Sequence, residues 1–285
     1  MSARVGLIGH PVAHSISAAF QQAAFDALEI DARYETWDLS PDELEPFVDG
    51  LRAVGTLGCN ITIPYKEAAA RYVDRLQQTA RFVGAINTIA NDSGVLVGYN
   101  TDVAGFQTAL KGTGFDPRGA RATIWGAGGA ARAVAWALIW RGIQSLTIVN
   151  RTAVRAGRLR HDLAAASADI PLRAYGADQP EAVQALAGAD LVVQCTPVGM
   201  QGGSTEGQVP FDVAALKTGA TVMDLIANPA ESALVKAARV HGHQAIGGLP
   251  MLVYQGAAAF EIWTQQRPPI ETMLEAAAAA MQRES

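Results

Sequence analysis

The chain has 285 residues, of which 49% are hydrophobic and only 17% charged. That is too apolar and too weakly charged for a disordered tail or a coiled coil, and at roughly 100 to 200 residues per domain it is long enough for two. Its 22 basic and 27 acidic residues give a net charge of -5 with His neutral, and no basic block exceeds two residues, so nucleic acid is not the expected partner. Cys59 and Cys195 lie far apart without ligand spacing, which supports neither a disulfide framework nor a metal site and fits a reducing cytoplasm. The first fifteen residues lack the apolar stretch of an export signal. The most apolar helix-like run, Ala133 to Trp140, is too short to span a membrane. The expected partners are small molecules, with monomer and homodimer both open.

In chain order, residues 4 to 9 read as a strand closed by Gly9 and Pro11. Ser17 is placed to cap a helix whose apolar face is Phe20, Ala24 and Leu28. Residues 33 to 39 look extended. A helix is expected from about Pro41, with Asp42 and Glu43 in its first turn and Leu44, Phe47, Val48 and Leu51 inward. Residues 58 to 63 read as a third strand stopped by Pro64, followed by a helix from about Tyr65. Strands near 85 to 90 and 95 to 100 flank Asn91-Asp92-Ser93-Gly94 as a hairpin.

The second half alternates more regularly. A strand over 121 to 125 runs into Gly126-Ala127-Gly128-Gly129-Ala130-Ala131 and a helix ending at Gly142, and Leu146 to Val149 completes a βαβ unit. Further strands near 190 to 194, 221 to 225 and 244 to 246 imply a doubly wound parallel sheet. Helices over 251 to 263 and 270 to 281 follow, and these are expected to pack back on the first domain.

Gly126, Gly128 and Ala131 match G-x-G-x-x-A: a tight turn, close approach to a pyrophosphate, and close helix-to-strand packing, with the anion on the helix N-terminus. Twenty-four residues after Gly126, at the end of the next strand, stand Asn150, Arg151, Thr152 and, four residues beyond Arg151, Arg155. A carboxylate there would accept from a free ribose hydroxyl, whereas a guanidinium favours a 2'-phosphate. NADP is therefore expected over NAD, held by Gly126, Ala127, Gly128, Gly129, Ala130, Asn150, Arg151, Thr152 and Arg155.

Four segments of the first half are more specific together than singly: His14-Ser15-Ile16-Ser17, Asn60-Ile61-Thr62-Ile63-Pro64-Tyr65-Lys66, Gly84-Ala85-Ile86-Asn87-Thr88 and Gly98-Tyr99-Asn100-Thr101-Asp102-Val103-Ala104-Gly105. With the glycine turn, Asn150-Arg151-Thr152, Thr196-Pro197-Val198-Gly199-Met200 and Met251-Leu252-Val253-Tyr254-Gln255, they resemble the shikimate dehydrogenase family over almost the whole chain. The resemblance implies an N-terminal α/β substrate domain (1–103), a Rossmann-type doubly wound NADP-binding domain (104–247), C-terminal helices (248–285) and a cleft between the domains. It implies NADP-dependent reversible reduction of 3-dehydroshikimate to shikimate in aromatic amino-acid biosynthesis. In the family's pattern Ser15 and Ser17 hold the substrate carboxylate, and Asn60, Thr62, Asn87, Asp102 and Gln255 hold hydroxyls. Lys66 serves as acid in reduction and base in reverse, with Asp102 orienting it, while Leu225 and Gly248 join the cofactor residues.

Other readings of these residues stay open: Asp102 also fits as a helix cap, and Asn60 and Asn87 as buried amides serving loop backbone. His14, His241 and His243 read as structural, and Cys195 as a small buried residue. The chain departs from the family at Ala18 and Gln21-Gln22, and at Ala227, where the family commonly has a Tyr reaching the substrate carboxylate. Ala227 leaves quinate or another polyhydroxy ring acid open as the substrate, and a catalytically silent NADP-binding sensor is the reading from another class. A folate dehydrogenase is disfavoured because its Tyr-x-x-x-Lys pair has Thr62 in the Tyr position.

Overall fold

The structure is a computed structural model that describes residues 2–12, 15–167 and 169–284. His14 lies outside the described residues. The chain forms two compact units, Met1–Gly105 with Leu252–Ser285, and Phe106–Met251.

In the first unit, β1 (Ala3–Gly9) leads to α1 (Ser17–Ala27), β2 (Ala32–Asp38), α2 (Leu44–Gly50) and β3 (Thr56–Ile61). Then come β4 (Arg75–Leu76), α3 (Gln78–Val83), the hairpin β5 (Thr88–Asp92) and β6 (Val95–Tyr99), and α4 (Asp102–Lys111). The sheet order is β2-β1-β3-β5-β6-β4. Strands β1, β2 and β3 run parallel, β5 is antiparallel to both β3 and β6, and β4 is parallel to β6. This mixed pattern brings the ends of β1, β3 and β6 and the start of β5 to one end of the sheet, where Asn60 pairs with Thr88 and Thr88 with Tyr99. Positive φ at Ser93 and Gly94 makes the two-residue hairpin turn.

The core of this unit includes Ile8, Leu44, Val48, Leu51, Ile61, Ile86, Ile89 and Leu96, with Phe47 half-buried against Trp37 at 5.0 Å between ring centroids. Three local expectations are corrected. The helix expected from Pro41 opens as a 3-10 turn over Pro41–Glu43, closed by a Ser40–Glu43 capping box, before α2 begins. Residues after Pro64 do not form an α-helix; they turn and end in a short 3-10 stretch, Ala69–Arg71, so Lys66 sits in a turn. Ile16, not Ser17, is the N-cap of α1, and the Ser15 hydroxyl accepts from the Ser17 N–H at 3.3 Å.

The second unit contains β7 (Arg121–Trp125), α5 (Gly129–Trp140), β8 (Ser145–Asn150), α6 (Ala153–Leu163), β9 (Leu172–Gly176), α7 (Pro180–Gly188), β10 (Leu191–Gln194), β11 (Thr221–Asp224), α8 (Ala233–Val240) and β12 (Gln244–Ile246). All six strands are parallel in the order β12-β11-β10-β7-β8-β9. The chain thus winds outward from β7 in one direction and from β10 in the other, which puts the topological switch point between them. The edge strand β9 gave no clear sequence signal, because its alternation is broken by half-buried Leu172, Ala174 and Tyr175. Helix α5 buries Ala131 and every residue from Ala133 to Ile139.

Helices α9 (Leu249–Thr264) and α10 (Ile270–Glu284) complete the chain. Phe260 packs on Phe25 at 4.8 Å between ring centroids, and the Trp263 indole donates to the Ile89 carbonyl at 2.9 Å. The second of these contacts needs Gly58. Its φ is +140°, and a Cβ there would lie 2.0 Å from the Ile89 carbonyl oxygen and 2.9 Å from the Trp263 indole nitrogen. Strained backbone of this kind costs on the order of 1–3 kcal/mol before any overlap is relieved. Gly58→Ala is expected to lower the thermal midpoint by at least about 4 °C, at roughly 2–4 °C per kcal/mol; an unchanged midpoint in a thermal melt would contradict this packing.

Candidate active site and nucleotide cradle

At the sheet end described above, Lys66 and Asp102 meet. Lys66 is carried by the turn after β3 and Asp102 is the first residue of α4, where the helix dipole favours a carboxylate. The Lys66 ammonium donates to Asp102 Oδ2 at 2.6 Å, with side-chain exposures of 17% and 4%. Removing one partner of a pair buried to this degree typically costs about 3–5 kcal/mol. The Ile86 N–H donates to the Lys66 carbonyl at 2.7 Å and ties the turn to the segment before β5.

The other oxygen of Asp102 is taken by Asn87. Its amide nitrogen donates to Asp102 Oδ1 at 2.9 Å and to Gln255 Oε1 at 3.0 Å. Asn87 Oδ1 accepts from the Thr101 N–H at 2.7 Å. A backbone N–H only donates, so this contact fixes which end of the amide faces which way. Asp102 is therefore not an N-cap: the Thr101 carbonyl accepts the N–H of Gly105 at 2.9 Å, and the Asp102 carboxylate is committed to Lys66 and Asn87.

The remaining sequence-expected residues of this unit fall into two groups. Ser15 and Thr62 stand half-buried on the loops after β1 and β3, and Ser17 is buried in the first turn of α1. Gln255 reaches from α9 and is held by its own donation to the Leu252 carbonyl at 2.7 Å. Asn60 is buried, and its amide nitrogen donates to Thr88 Oγ1 and the Asn87 carbonyl at 3.0 and 3.3 Å while its oxygen accepts from the Tyr34 hydroxyl at 2.8 Å. Tyr34, Thr88 and Thr101 were not singled out in the sequence. An inward Tyr on a strand needs a hydroxyl partner, and that was the available signal.

In the second unit, the glycine turn follows β7 directly. Gly126 has φ of +128°, and a Cβ there would lie 3.1 Å from the backbone of Cys195, so both conformation and close approach require glycine. A Cβ at Gly128 would meet nothing within 4 Å. Open space thus lies before the first N–H groups of α5, which lack acceptors within the helix. Ala127 is buried in the turn, while Gly129 and Ala130 are half-buried at the helix start.

Because β8 is the neighbour of β7, with Val149 opposite Trp125, Asn150 and Arg151 emerge beside the turn. The Asn150 side chain donates to the Thr152 carbonyl at 3.0 Å, and Arg151, Thr152 and Arg155 are exposed. Arg151 and Arg155 make no ion pair among the described residues, whereas Arg132 is joined to Asp162 at 2.7 Å. Glycine turn, open helix N-terminus and uncommitted guanidinium groups are together the donor set a phosphorylated dinucleotide needs.

Leu225 follows β11 and Gly248 packs on it, a Cβ at Gly248 falling 2.3 Å from the Leu225 carbonyl oxygen. Ala227, partly exposed, is in the same loop. Asp224 anchors that loop: its carboxylate accepts from the Ile226 N–H at 3.0 Å and the Ser232 hydroxyl at 2.6 Å. Burial raises the Asp224 carboxyl to about 6 despite these two bonds. Burial also pushes the thiols of Cys59 and Cys195 up, with the Asp224 charge adding to the second, so neither is an activated nucleophile. Among the described residues no group of three or more His, Cys, Asp or Glu is placed to hold a metal ion, and no helix is long and apolar enough to cross a membrane.

A doubly wound sheet with an open glycine turn, accompanied by a separate α/β unit presenting a lysine–aspartate pair, defines a dinucleotide-binding α/β protein. Comparison with known proteins narrows this. Residues 7–89 match the shikimate dehydrogenase substrate binding domain, 108–199 the shikimate/quinate 5-dehydrogenase description, and 248–278 the shikimate 5'-dehydrogenase C-terminal domain. The shikimate dehydrogenase (NADP(+)) of Symbiobacterium thermophilum is 48% identical over 280 residues, covering 98% of this chain and 94% of that protein. The shikimate 5-dehydrogenase of Thermus thermophilus, solved in complex with NADP(H) and shikimate, has a TM-score of 0.85 at 34% identity and covers 98% and 99% of the two chains. The quinate dehydrogenase of Corynebacterium glutamicum, solved with NAD, has a TM-score of 0.87 at 30% identity and covers 98% and 99%. The chain belongs to the shikimate dehydrogenase family.

The Asp224 carboxyl supplies a pH-dependent test. An ordinary carboxyl titrates near pH 4, so between about pH 4 and 6 the folded state holds the Asp224 proton and the unfolded state does not. The contribution of Asp224 to stability is then fully present below that window and is lost as pH rises through 6, by roughly 2–3 kcal/mol for two pK units. Asp224→Asn removes this dependence. Denaturant midpoints measured from pH 4 to 7 are expected to show the parent falling relative to Asp224→Asn; parallel curves would contradict the burial of the charge.

Proposed function

We propose that Lys66 and Asp102 are the proton-transfer pair of an NADP-dependent shikimate dehydrogenase, interconverting 3-dehydroshikimate and shikimate. One observation carries the reading: an ammonium and a carboxylate held at 2.6 Å, on the same end of one sheet as Ser15, Thr62 and Asn87. The names of its relatives supply the substrate and the cofactor.

Bound NADP supplies or accepts the hydride. The protein's part is to bind, orient and move a proton. One Lys66 proton is engaged by Asp102, and the other two remain to be donated. In reduction Lys66 protonates the carbonyl oxygen as it becomes a hydroxyl; in oxidation it takes that proton back, with Asp102 holding the nitrogen in place and favouring its return to ammonium. Ser15 and Ser17 receive the ring carboxylate and Thr62, Gln255 and Asn87 the ring hydroxyls. In the second unit, the turn Gly126 to Ala130 and the start of α5 receive the pyrophosphate, with Leu225 and Gly248 completing the wall. Asn150, Arg151, Thr152 and Arg155 receive the ribose 2'-phosphate.

Ala227 provides no hydroxyl for a substrate, and a relative acts as a quinate dehydrogenase, so quinate is the substrate to run beside shikimate. With either substrate Lys66→Ala is expected to lower kcat by about 10²-fold or more, in keeping with an acid-base group, while KM for NADP+ is unchanged; a loss smaller than about tenfold, below the floor for such a group, would remove Lys66 from the chemistry. Arg151→Ala is expected to raise KM for NADP+ by roughly ten- to a hundredfold, the worth of a hydrogen bond to a charged group, and to leave KM for NAD+ unchanged. Equal effects on both cofactors would show that Arg151 does not read the 2'-phosphate.

A further inference from the structure

Behind the pair stands a chain of buried polar groups. Tyr34 donates its hydroxyl to Asn60 Oδ1 at 2.8 Å, Asn60 donates to Thr88 Oγ1 at 3.0 Å, and Thr88 donates to Asn87 Oδ1 at 3.2 Å. Asn87 in turn donates to Asp102, which receives Lys66 on its other oxygen. Thr88 is fully buried, Asn87 nearly so, and Tyr34 and Asn60 are 6% and 5% exposed.

The orientation of both amides is forced. The Asn60 nitrogen faces the Asn87 carbonyl, which only accepts, so the Asn60 oxygen must face Tyr34 and the phenol must donate. Burial raises the Tyr34 phenol well above its ordinary range, so that proton stays on the ring oxygen. The Thr88 hydroxyl receives from Asn60 and has its single proton left for Asn87 Oδ1 at 3.2 Å, with Thr101 Oγ1 at 3.4 Å the other oxygen in reach; the Thr101 N–H also fixes Asn87 Oδ1 as the acceptor end. The Asn87 nitrogen is then left facing Asp102, Gln255 and the Thr101 hydroxyl oxygen. Two amides that could each have pointed either way are thus set in one sense from the edge strand β2 to the first turn of α4.

We infer that Thr88, with Tyr34 and Asn60 behind it, is a positioning residue for the Lys66–Asp102 pair: it adds a second donor to the Thr101 N–H at Asn87 Oδ1, and so helps to hold the Asn87 amide with its nitrogen, and not its oxygen, on the Asp102 carboxylate. With the amide reversed, oxygen would face oxygen, and Asp102 would turn from Lys66 to escape it. On this reading Asn60 supports the site from behind and does not bind a ring hydroxyl. The inference rests on the proposed role of Lys66 and Asp102, and its test separates the two.

Thr88→Val keeps the shape of the side chain and deletes the hydroxyl, whereas Thr88→Ser keeps the hydroxyl. In the full chain, kcat and both KM values are measured for NADP+-linked shikimate oxidation, and exchange of the Asn87 side-chain amide protons is followed by heteronuclear NMR. Thr88→Val is expected to lose about tenfold in kcat, with KM for NADP+ within about twofold, and Asn87 exchange is expected to quicken about tenfold as one bond of the network goes. Thr88→Ser is expected to restore both within about threefold. An unchanged kcat in Thr88→Val overturns the inference, and so does a Ser variant as impaired as Val, which would show that packing of the methyl matters and the hydroxyl does not. If Thr88→Val does not fold, Tyr34→Phe provides the same reading, with about a threefold loss of kcat and faster Asn87 exchange expected, and unchanged values overturning it. The exchange readout needs no substrate, so a parent inactive on shikimate would defeat the functional proposal while Asn87 exchange still decides the positioning role.

Discussion

A backbone N–H cannot accept a hydrogen bond, and the first unit is organised around that constraint at Thr101. Its N–H, 2.7 Å from Asn87 Oδ1, fixes the Asn87 amide; the amide fixes one oxygen of Asp102, and Lys66 takes the other. Thr101 can do this because β6 ends and α4 begins within three residues, and because β5 runs antiparallel to β3 and so starts where β3 ends. A fully parallel sheet would have put the start of β5 at the opposite end. The one antiparallel hairpin in the sheet is thus what brings Asn87 to Asp102.

The parts of this arrangement that the sequence made legible are those set by local chemistry. The glycine turn lies between a strand and a helix because Gly126 must adopt a positive φ and approach Cys195, and both requirements show as residue types at fixed spacing. The hairpin at Ser93-Gly94 was legible for the same reason. Lys66 and Asp102 were found through resemblance, since their 36-residue separation carries no local pattern. Local signals also misled: Pro64 followed by Tyr-Lys-Glu and three alanines reads as a helix start, yet tertiary contacts hold the segment as turns, with the Lys66 carbonyl spent on Ile86. The chain from Tyr34 to Asp102 was illegible because it joins β2, β3, β5 and α4, and only register brings those residues into line.

The two units solve different problems. The second offers a turn, an open helix N-terminus and two guanidinium groups without an ion pair among the described residues, Arg151 just after β8 and Arg155 in α6. The first must hold a lysine and an aspartate largely out of water, and it does so with side chains that the Thr101 N–H orients. A pair of this burial is costly to form unless its remaining lone pairs are satisfied, and the Asn87 amide meets that need at Asp102. Ala227 stands apart from this logic. Nothing in the described structure explains why a residue without a hydroxyl occupies that position.

The measurement that bears most directly on the central claim is the initial rate of NADPH formation from shikimate and NADP+ by Asp102→Asn beside the parent. Asn keeps the size of the side chain and removes the charge that Lys66 and Asn87 both address. The parent should turn over and Asp102→Asn should be slower by about 10²-fold or more, as for other acid-base pairs; an Asp102→Asn enzyme as fast as the parent would contradict the account.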